Sequence, residues 1–230
     1  QTSEFEFRPG PVFATIVVAD ESNLASPRSR AALLEAMEEH QVSVDGTTYQ
    51  LPDPFLVLAT QNPVEMEGTY PLPEAQRDRF LAQTTIGYPD HSAELEMLVD
   101  RDRLDPLESV RAVVEPADVA AISAMVAGVH LAPAVRGYLV GLVRATRTIS
   151  GVSLGASPRA ALHLARAAKA SAAMEGRNFV IPDDVASLAV PVLAHRLLLA
   201  PAGSSAGKTT ARELIETLVQ VSAKPRGESH

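Results

Sequence analysis

Two short apolar runs constrain the fold of this chain more strongly than any other feature of its sequence. Residues 16–19 (IVVA) and 55–59 (FLVLA) are continuous apolar segments of strand length, and the second ends abruptly at Thr60. Such runs are typical of strands that are buried on both faces of a parallel sheet. We therefore predict that the first part of the chain contains a parallel sheet with buried strands.

The sequence between these runs predicts one helix and one hairpin. Ser26 is suited to cap a helix that begins at Pro27, because a proline at the first helical position loses no hydrogen bond. Apolar residues then recur at helical spacing as far as His40. Residues 41–50 alternate about Asp45-Gly46, a pair that favours a tight hairpin turn. Strand, helix, hairpin and strand in this order predict an α/β layer architecture.

The sequence pattern changes near residue 88, from mixed strand and helix signals to mainly helical ones, and this change divides the chain. We predict that residues 1–88 form the α/β core and that residues 89–222, which are rich in alanine and poor in strand patterns, form a helical domain. Pro191 is expected to kink or break the fifth helix. The tail, residues 223–230, is predicted to be disordered. Six helices are predicted, several of them beginning with proline, at residues 90–103, 116–129, 133–149, 158–174, 182–199 and 210–221.

The composition excludes several kinds of function. The 230 residues include no cysteine, which rules out disulfides, thiolate metal ligands and cysteine catalysis in this chain. Its 20 basic and 28 acidic residues give a formal net charge of −8, which argues against general binding to nucleic acids. The six histidines show no metal-ligand spacing. No signal peptide or membrane-spanning run is recognisable, so we expect a cytoplasmic protein.

Asp20 and Glu21 directly follow the first apolar run and are strong candidates for chemistry. Ligands bind open parallel sheets at the carboxyl ends of the strands, where these two acids would lie. The first acid can hold Mg²⁺, usually through water, and the second can polarise an attacking water, as nucleotide hydrolysis requires. The alternative is an ordinary solvated turn at the end of a strand.

The residues after the second run add a neutral amide and two cations. Asn62 can orient a water or contact a terminal phosphate without adding negative charge, although an Asn before Pro is otherwise an ordinary turn residue. Either Arg77 or Arg79 could reach the nucleotide of a neighbouring subunit as an arginine finger. The alternative for these arginines is a local ion pair with Asp78 or Glu74.

These residues belong to longer strings that resemble the MoxR family of AAA+ ATPases. The resemblance runs in order from about residue 5 to residue 199. It implies part of a P-loop-type parallel sheet core followed by an all-α lid, with ATP and Mg²⁺ as ligands and ATP hydrolysis as the activity. The strings are residues 19–21 (ADE), 32–39 (ALLEAMEE), 41–46 (QVSVDG), 58–63 (LATQNP), 67–76 (EGTYPLPEAQ), 78–80 (DRF) and 155–159 (GASPR).

The resemblance also implies roles for individual residues. Arg77 ranks below Arg79 as the finger, because relatives more often carry an apolar residue there. The hairpin at residues 41–50 would be the insertion before sensor 1, which tends to face the central pore of such rings. The site roles are the Walker B metal-binding acid Asp20, acting through water, the Walker B catalytic acid Glu21, the sensor 1 residue Asn62, the arginine finger Arg79 and the sensor 2 residue Arg159, which projects from the lid toward the γ-phosphate.

Partners follow from the same resemblance. Such proteins work as homo-oligomeric rings, here expected to be hexamers, and have a chaperone-like role in assembling or activating other proteins. Their clients often carry von Willebrand factor A domains and are sometimes metal-dependent enzymes.

Two departures from the family pattern matter. Ser22-Asn23-Leu24 stands where the family usually has Ile-Asn-Arg, which removes a cation near the expected subunit boundary. The Walker A loop, which cradles the phosphates, would precede Gln1, so we expect a truncated form that is inactive by itself. The alternative is a non-catalytic fragment or protein-interaction module that cannot bind ATP. A partial core would also expose an apolar sheet edge and favour association.

Two further motifs are interpreted as loops. Residues 203–209 (GSSAGKT) resemble a phosphate-binding loop with one residue too few, and the segment before them looks helical rather than extended. Residues 151–155 (GVSLG) fit a nucleophile elbow, with Asp183 or Asp184 and then His195 following in the order of a hydrolase triad. An elbow requires a strand before its serine, whereas residues 144–149 look helical, so we expect a loop there.

Overall fold

The structure is a computed structural model and describes residues 7–21, 25–61, 72–101, 106–201 and 209–225. An α/β region is followed by a mostly helical region, in the order that the sequence predicts. Within these described ranges, no helix combines the length and the apolar character needed to cross a membrane.

The α/β region is built on two parallel strands. In chain order it contains β1 (Ile16–Ala19), α1 (Pro27–Glu39), β2 (Gln41–Val44), β3 (Thr47–Gln50) and β4 (Leu56–Ala59). β1 and β4 pair in parallel, with Ile16 opposite Leu56 and Ala19 opposite Ala59. β2 and β3 form the predicted antiparallel hairpin. The carboxyl ends of β1 and β4 therefore meet at one edge of the sheet.

Local signals explain how α1 and the hairpin form. The Ser26 hydroxyl accepts a hydrogen bond from the Ser29 backbone N–H at 3.1 Å, and Pro27 occupies the first turn of α1. The helix ends where His40 adopts a left-handed backbone conformation with φ 52°. Asp45 and Gly46 both have positive φ, as a tight hairpin turn requires. The predicted helix and hairpin are therefore confirmed.

One face of the parallel pair differs from the prediction. Ile16, Val18, Leu56 and Leu58 lie on the same face, because alternate residues of a strand point to the same side. Their side chains are 50–62% exposed. The prediction that both strands are buried on both faces is wrong for the described structure, since none of its described elements covers this face.

The helical region has a helix at each predicted position. After a short helix α2 (Glu74–Arg77), the chain forms α3 (His91–Arg101), α4 (Pro116–Ala127), α5 (Pro133–Ala145), α6 (Pro158–Met174), α7 (Pro182–Leu193) and α8 (Ala211–Val221). The fifth predicted helix, α7, ends six residues early. Pro191 removes a helical hydrogen bond, and a 3₁₀ turn (Ala194–Arg196) follows. The helix-only prediction for this region missed a short antiparallel pair of strands, β5 (Val152–Leu154) and β6 (Leu198–Leu199).

The core of the helical region is formed by α5, α6, α7 and α8, and its most extensive contact is between α6 and α7. Buried residues recur about once per turn along α6, and most of them are alanines, which let the two helices approach closely. Ala160, in the first turn of α6 beside Arg159, is fully buried in this core. The buried apolar side chains of these two helices are Ala160, Leu164, Ala168 and Ala172 of α6 and Val185, Ala189, Val192 and Leu193 of α7.

Two predicted segments, the glycine-rich loop and the disordered tail, fall partly outside the described residues. Residues 202–208, which include most of the glycine-rich segment, are not described, and neither are residues 226–230 of the predicted tail. Lys224, near the start of that tail, forms an ion pair with Asp183.

Candidate functional site

The two predicted acids lie together at the end of β1. Asp20 and Glu21 are both exposed, and Glu21 adopts a left-handed backbone conformation with φ 46°. Thr60, directly after β4, joins them. Its hydroxyl donates a hydrogen bond to Asp20 Oδ1 at 2.5 Å and accepts one from the Glu21 N–H at 2.9 Å. A single hydroxyl therefore orients the side chain of one acid and the backbone of the other.

This sheet edge offers the donors that Mg²⁺ prefers. The Asp20 and Glu21 carboxylates and the Thr60 hydroxyl all present oxygen. Mg²⁺ retains several waters and usually takes only one or two carboxylates, so the exposed Asp20 carboxylate fits a water-mediated contact. Within the described ranges, no group of three or more acidic or histidine side chains is placed to hold a metal. The exposed Asp20 carboxylate therefore fits a hydrated ion.

Asn62, which was predicted to complete this edge, lies outside the described residues, and its role stays a prediction. Thr60, by contrast, was not predicted as a site residue. Its position directly after the second apolar run could point to the site only together with the pairing of β4 with β1, which the structure shows.

Arg79 and Arg159 meet at a third residue, Glu38, near the end of α1. Arg79 Nη1 lies 2.8 Å from Glu38 Oε2 and also donates a hydrogen bond to the Leu34 carbonyl at 3.1 Å. Arg159 Nη2 donates to the other carboxylate oxygen, Glu38 Oε1. We call Arg79 and Arg159 the arginine pair. Its two members come from distant parts of the sequence, and one carboxylate holds both.

The arginine pair and the acids form separate groups. Among the described contacts, no hydrogen bond or ion pair joins Arg79 or Arg159 to Asp20 or Glu21. The alternative prediction for Arg79, a local ion pair with a neighbouring acid, is wrong because its partner is Glu38. No local signal in α1 distinguishes Glu38 from the acids beside it, which is why the sequence did not reveal it.

Asp78, the residue before Arg79, is held by the helical region. Arg196 donates from Nε to Asp78 Oδ1 and from Nη2 to the Asp78 carbonyl, each at 3.1 Å. The Ser157 hydroxyl donates to Asp78 Oδ2 at 2.8 Å and accepts from the Arg159 N–H at 3.1 Å, which caps α6. The backbones that carry the arginine pair are thus connected through Asp78 and Ser157.

The Arg196 guanidinium is the centre of a buried polar cluster. Its side chain is 1% exposed, and burial lowers its pKa to about 10 although Asp78 opposes that shift. Nη2 of Arg196 lies 2.7 Å from His163 Nδ1. Because an arginine only donates, that nitrogen accepts the bond and His163 is neutral. Burial, and then the charge of Arg196, lower the pKa of His163 and lower that of His195 to about 4.

The two motifs interpreted as loops contain short strands or adjoin them. Ser153 lies within β5, and its hydroxyl donates to the Leu198 carbonyl at 3.0 Å. His195 instead faces the carbonyls of Pro191 and Phe80, so the described contacts contain no hydrolase triad. β6 precedes the glycine-rich segment, which corrects the expectation of a helix there, since the helix ends soon after Pro191.

Comparison with known proteins defines the class of this fold. The ATPase family associated with various cellular activities (AAA) matches residues 1–82, and the AAA lid domain matches residues 144–218. A crystal structure from Cytophaga hutchinsonii, of a protein described as a candidate ATPase, is similar with a TM-score of 0.89 and 39% identity. The similarity covers 96% of this chain and 69% of that one. The fold is that of an AAA+ ATPase with a helical lid, as predicted.

Two curated relatives narrow this class. The chain is 48% identical over 201 residues to YeaC, an uncharacterized protein of Bacillus subtilis, which covers 87% of this chain and 63% of YeaC. It is 42% identical over 205 residues to the chaperone MoxR1 of Mycobacterium tuberculosis, which covers 85% of this chain and 54% of MoxR1. The chain belongs to the MoxR family of AAA+ ATPases. It spans 54–63% of the length of these two relatives.

Proposed function

We propose that the natural protein is a Mg²⁺-dependent ATPase of MoxR type that works as a homohexameric ring. Hydrolysis would be coupled to chaperone-like remodelling or activation of client proteins in the cytoplasm, including clients with von Willebrand factor A domains. The observation that carries the proposal is the edge of the parallel pair, where Thr60 holds Asp20 and Glu21 together. The name of the relative MoxR1, a chaperone, supports the client role.

Each residue of the site has a separate task in this proposal. Asp20 would hold Mg²⁺ through water, and the bound ion would supply neutralisation of phosphate charge. Glu21 polarises the attacking water, and Asn62 helps to orient it. Thr60, which follows β4, holds the two acids that follow β1 in a fixed position relative to each other. The arginine pair stabilises the charge of the γ-phosphoryl group in the transition state.

The arginine pair also constrains how subunits would cooperate. Two guanidinium groups that share one carboxylate are too close together to serve two separate nucleotides. We therefore propose that Arg79 and Arg159 act on the same nucleotide, that of the neighbouring subunit. We also propose that the core extends to residue 88 and that the lid spans residues 89–222.

The test begins with Glu21→Gln in the natural protein. Loss of the base should lower kcat by about 10²-fold or more while ATP still binds, because the side chain keeps its size. ATP turnover and nucleotide binding by calorimetry are measured in parallel. Glu39→Gln, which removes an equal charge from the exposed end of α1, is the control. Wild-type turnover by the Glu21 variant would refute the proposal.

Mixing experiments test the role of Arg79 between subunits. Arg79→Ala should impair hydrolysis in every site that depends on a neighbour's arginine. A mixture with Glu21→Gln subunits should recover activity, because the Gln variant still supplies Arg79 to an intact site next to it. A mixture that stays as inactive as its components would show that Arg79 does not act across the subunit boundary.

A further inference from the structure

Glu38 stands at the point where the core and the lid present their two candidate phosphate-binding arginines. Each of its carboxylate oxygens binds one guanidinium, Oε2 that of Arg79 and Oε1 that of Arg159. We propose that Glu38 is a positioning residue, which holds the arginine pair at the spacing needed to bind one terminal phosphate. The inference rests on the proposed ATPase function, since it concerns the same site.

Electrostatics explains why such a residue is needed. Two guanidinium groups so close together repel each other, and they would move apart unless an anion lay between them. Glu38 supplies that anion when no phosphate is present. All three side chains are 34–35% exposed, so water screens the attraction and the ion pairs add little to folding stability. The ion pairs instead set the geometry, because a carboxylate that binds one guanidinium on each oxygen fixes the orientation of both guanidinium groups.

Further hydrogen bonds near Arg79 and Arg159 support the same arrangement. The Arg79 guanidinium also donates to the Leu34 carbonyl, one turn before Glu38 on α1. Ser157 caps the helix that carries Arg159 and bonds to Asp78, next to Arg79. The arginine pair is therefore connected at both ends, through Ser157 and Asp78 at the backbone and through Glu38 at the side-chain heads. Among these connecting residues, Glu38 is the one that contacts both guanidinium groups.

This role predicts an effect on turnover rather than on substrate binding. Charge is redistributed over the γ-phosphoryl oxygens and the leaving oxygen as the reaction proceeds, and the spacing of the arginine pair matters most then. Glu38→Gln keeps the shape of the side chain but removes the charge and one of the two acceptor oxygens. The kcat for ATP should fall about tenfold or more, with KM changed by less than about threefold.

The decisive experiment is a mutant cycle in the natural protein. Glu38→Gln is made in the wild type and in the Arg79→Ala/Arg159→Ala background, and single-turnover hydrolysis of ATP is measured because it detects slow rates. If Glu38 acts through the arginine pair, its substitution lowers the rate in the wild type and has no further effect in the double variant. Glu39→Gln, one residue away on α1, should leave both rates unchanged.

Other outcomes would overturn the inference. An unchanged rate in Glu38→Gln would show that the arginine pair does not need Glu38. An equal loss in both backgrounds would show that Glu38 acts through the fold or directly on the reaction. A faster rate would show that Glu38 withholds the arginines from the phosphate. If Glu21→Gln and Arg79→Ala behave as expected, these failures leave the proposed function intact, whereas a wild type without ATPase activity refutes both proposals.

Discussion

At the scale of single residues, the buried guanidinium of Arg196 has polar partners that offset the cost of its burial. Arg196 is almost completely buried, yet its donors reach the Asp78 carboxylate and the carbonyls of Val192 and Phe80. Removing one partner of a buried ion pair that also makes hydrogen bonds lowers the stability of the fold by several kcal/mol. Arg196 therefore ties residues 78–80 to the end of α7, and with them the position of Arg79.

His195 should make the stability of the chain depend on pH. Its pKa is about 4 in the folded state, mainly through burial, against about 6.5 when unfolded. Between these values the unfolded chain binds the extra proton, so the free energy of unfolding falls as pH falls. We expect a loss of about 2 kcal/mol from His195 between pH 7 and pH 5, with His163 adding to it in the same direction.

Urea unfolding at pH 7, 6 and 5 measures this dependence. His195→Gln removes the titrating group, so the variant should lose less stability than the wild type over the same interval. Most carboxylates titrate below this window and contribute little to the difference. An identical slope for the variant and the wild type would contradict the assignment to His195.

At the scale of elements, the entry into α6 is set by a close approach of two backbones. Gly155 lies between β5 and the Ser157 cap of α6. A Cβ atom at Gly155 would lie 2.6 Å from both the Arg147 Cα and the Thr146 carbonyl oxygen. Only a residue without a side chain fits there, because backbone atoms cannot move aside easily. The direction in which α6 presents Arg159 therefore depends on Gly155.

Gly155→Ala should destabilise the chain by about 1–3 kcal/mol, the usual cost of overpacking. Gly137→Ala is the matched control, because Gly137 lies inside α5 and a Cβ there meets no atom within 4 Å. That change should stabilise the chain by about 0.5–1 kcal/mol through better helix propensity. Thermal unfolding of both variants tests the pair, and a stabilised Gly155 variant would contradict the close approach.

At the scale of the whole molecule, an apolar face of the core stays open in the described structure. Ile16 and Val18 of β1 adjoin Leu56 and Leu58 of β4 on that face. Contiguous exposed apolar groups of this kind favour association. The polar contacts of Arg196 with residues 78–80, by contrast, connect the core to the lid inside one chain.

We expect the 230-residue chain to self-associate through this face. Val18→Lys with Leu58→Glu should reduce association, because these residues are register partners and would form a charged cross-strand pair. Light scattering after size-exclusion chromatography, over a range of concentrations, measures the mass. Met174→Lys, which changes an exposed apolar residue at the end of α6 and not on this face, should have no effect. A monomeric wild type, or an equal effect of the control, would contradict this expectation.

Local signals predicted much of this fold. The Ser26 cap, the Asp45-Gly46 turn and the six helix positions depend on interactions within a few residues, and these are visible in the sequence. The family strings added the order of the domains. The end of α7 was predicted too late because the structure after Pro191 depends on distant residues. The Gln83 N–H donates to the Pro191 carbonyl, and β5 pairs with residues 198–199.

The sequence by itself determined the family, the α/β core followed by a helical lid, and the place of Asp20 and Glu21 at the end of a parallel strand. The tertiary structure alone decided that Thr60 joins these acids, that Arg196 is buried against Asp78, and that Arg79 and Arg159 share Glu38. The physical reason is distance along the chain. Helix caps and turns are settled by neighbours, whereas a carboxylate 121 residues from its arginine partner meets it only after the helices have packed.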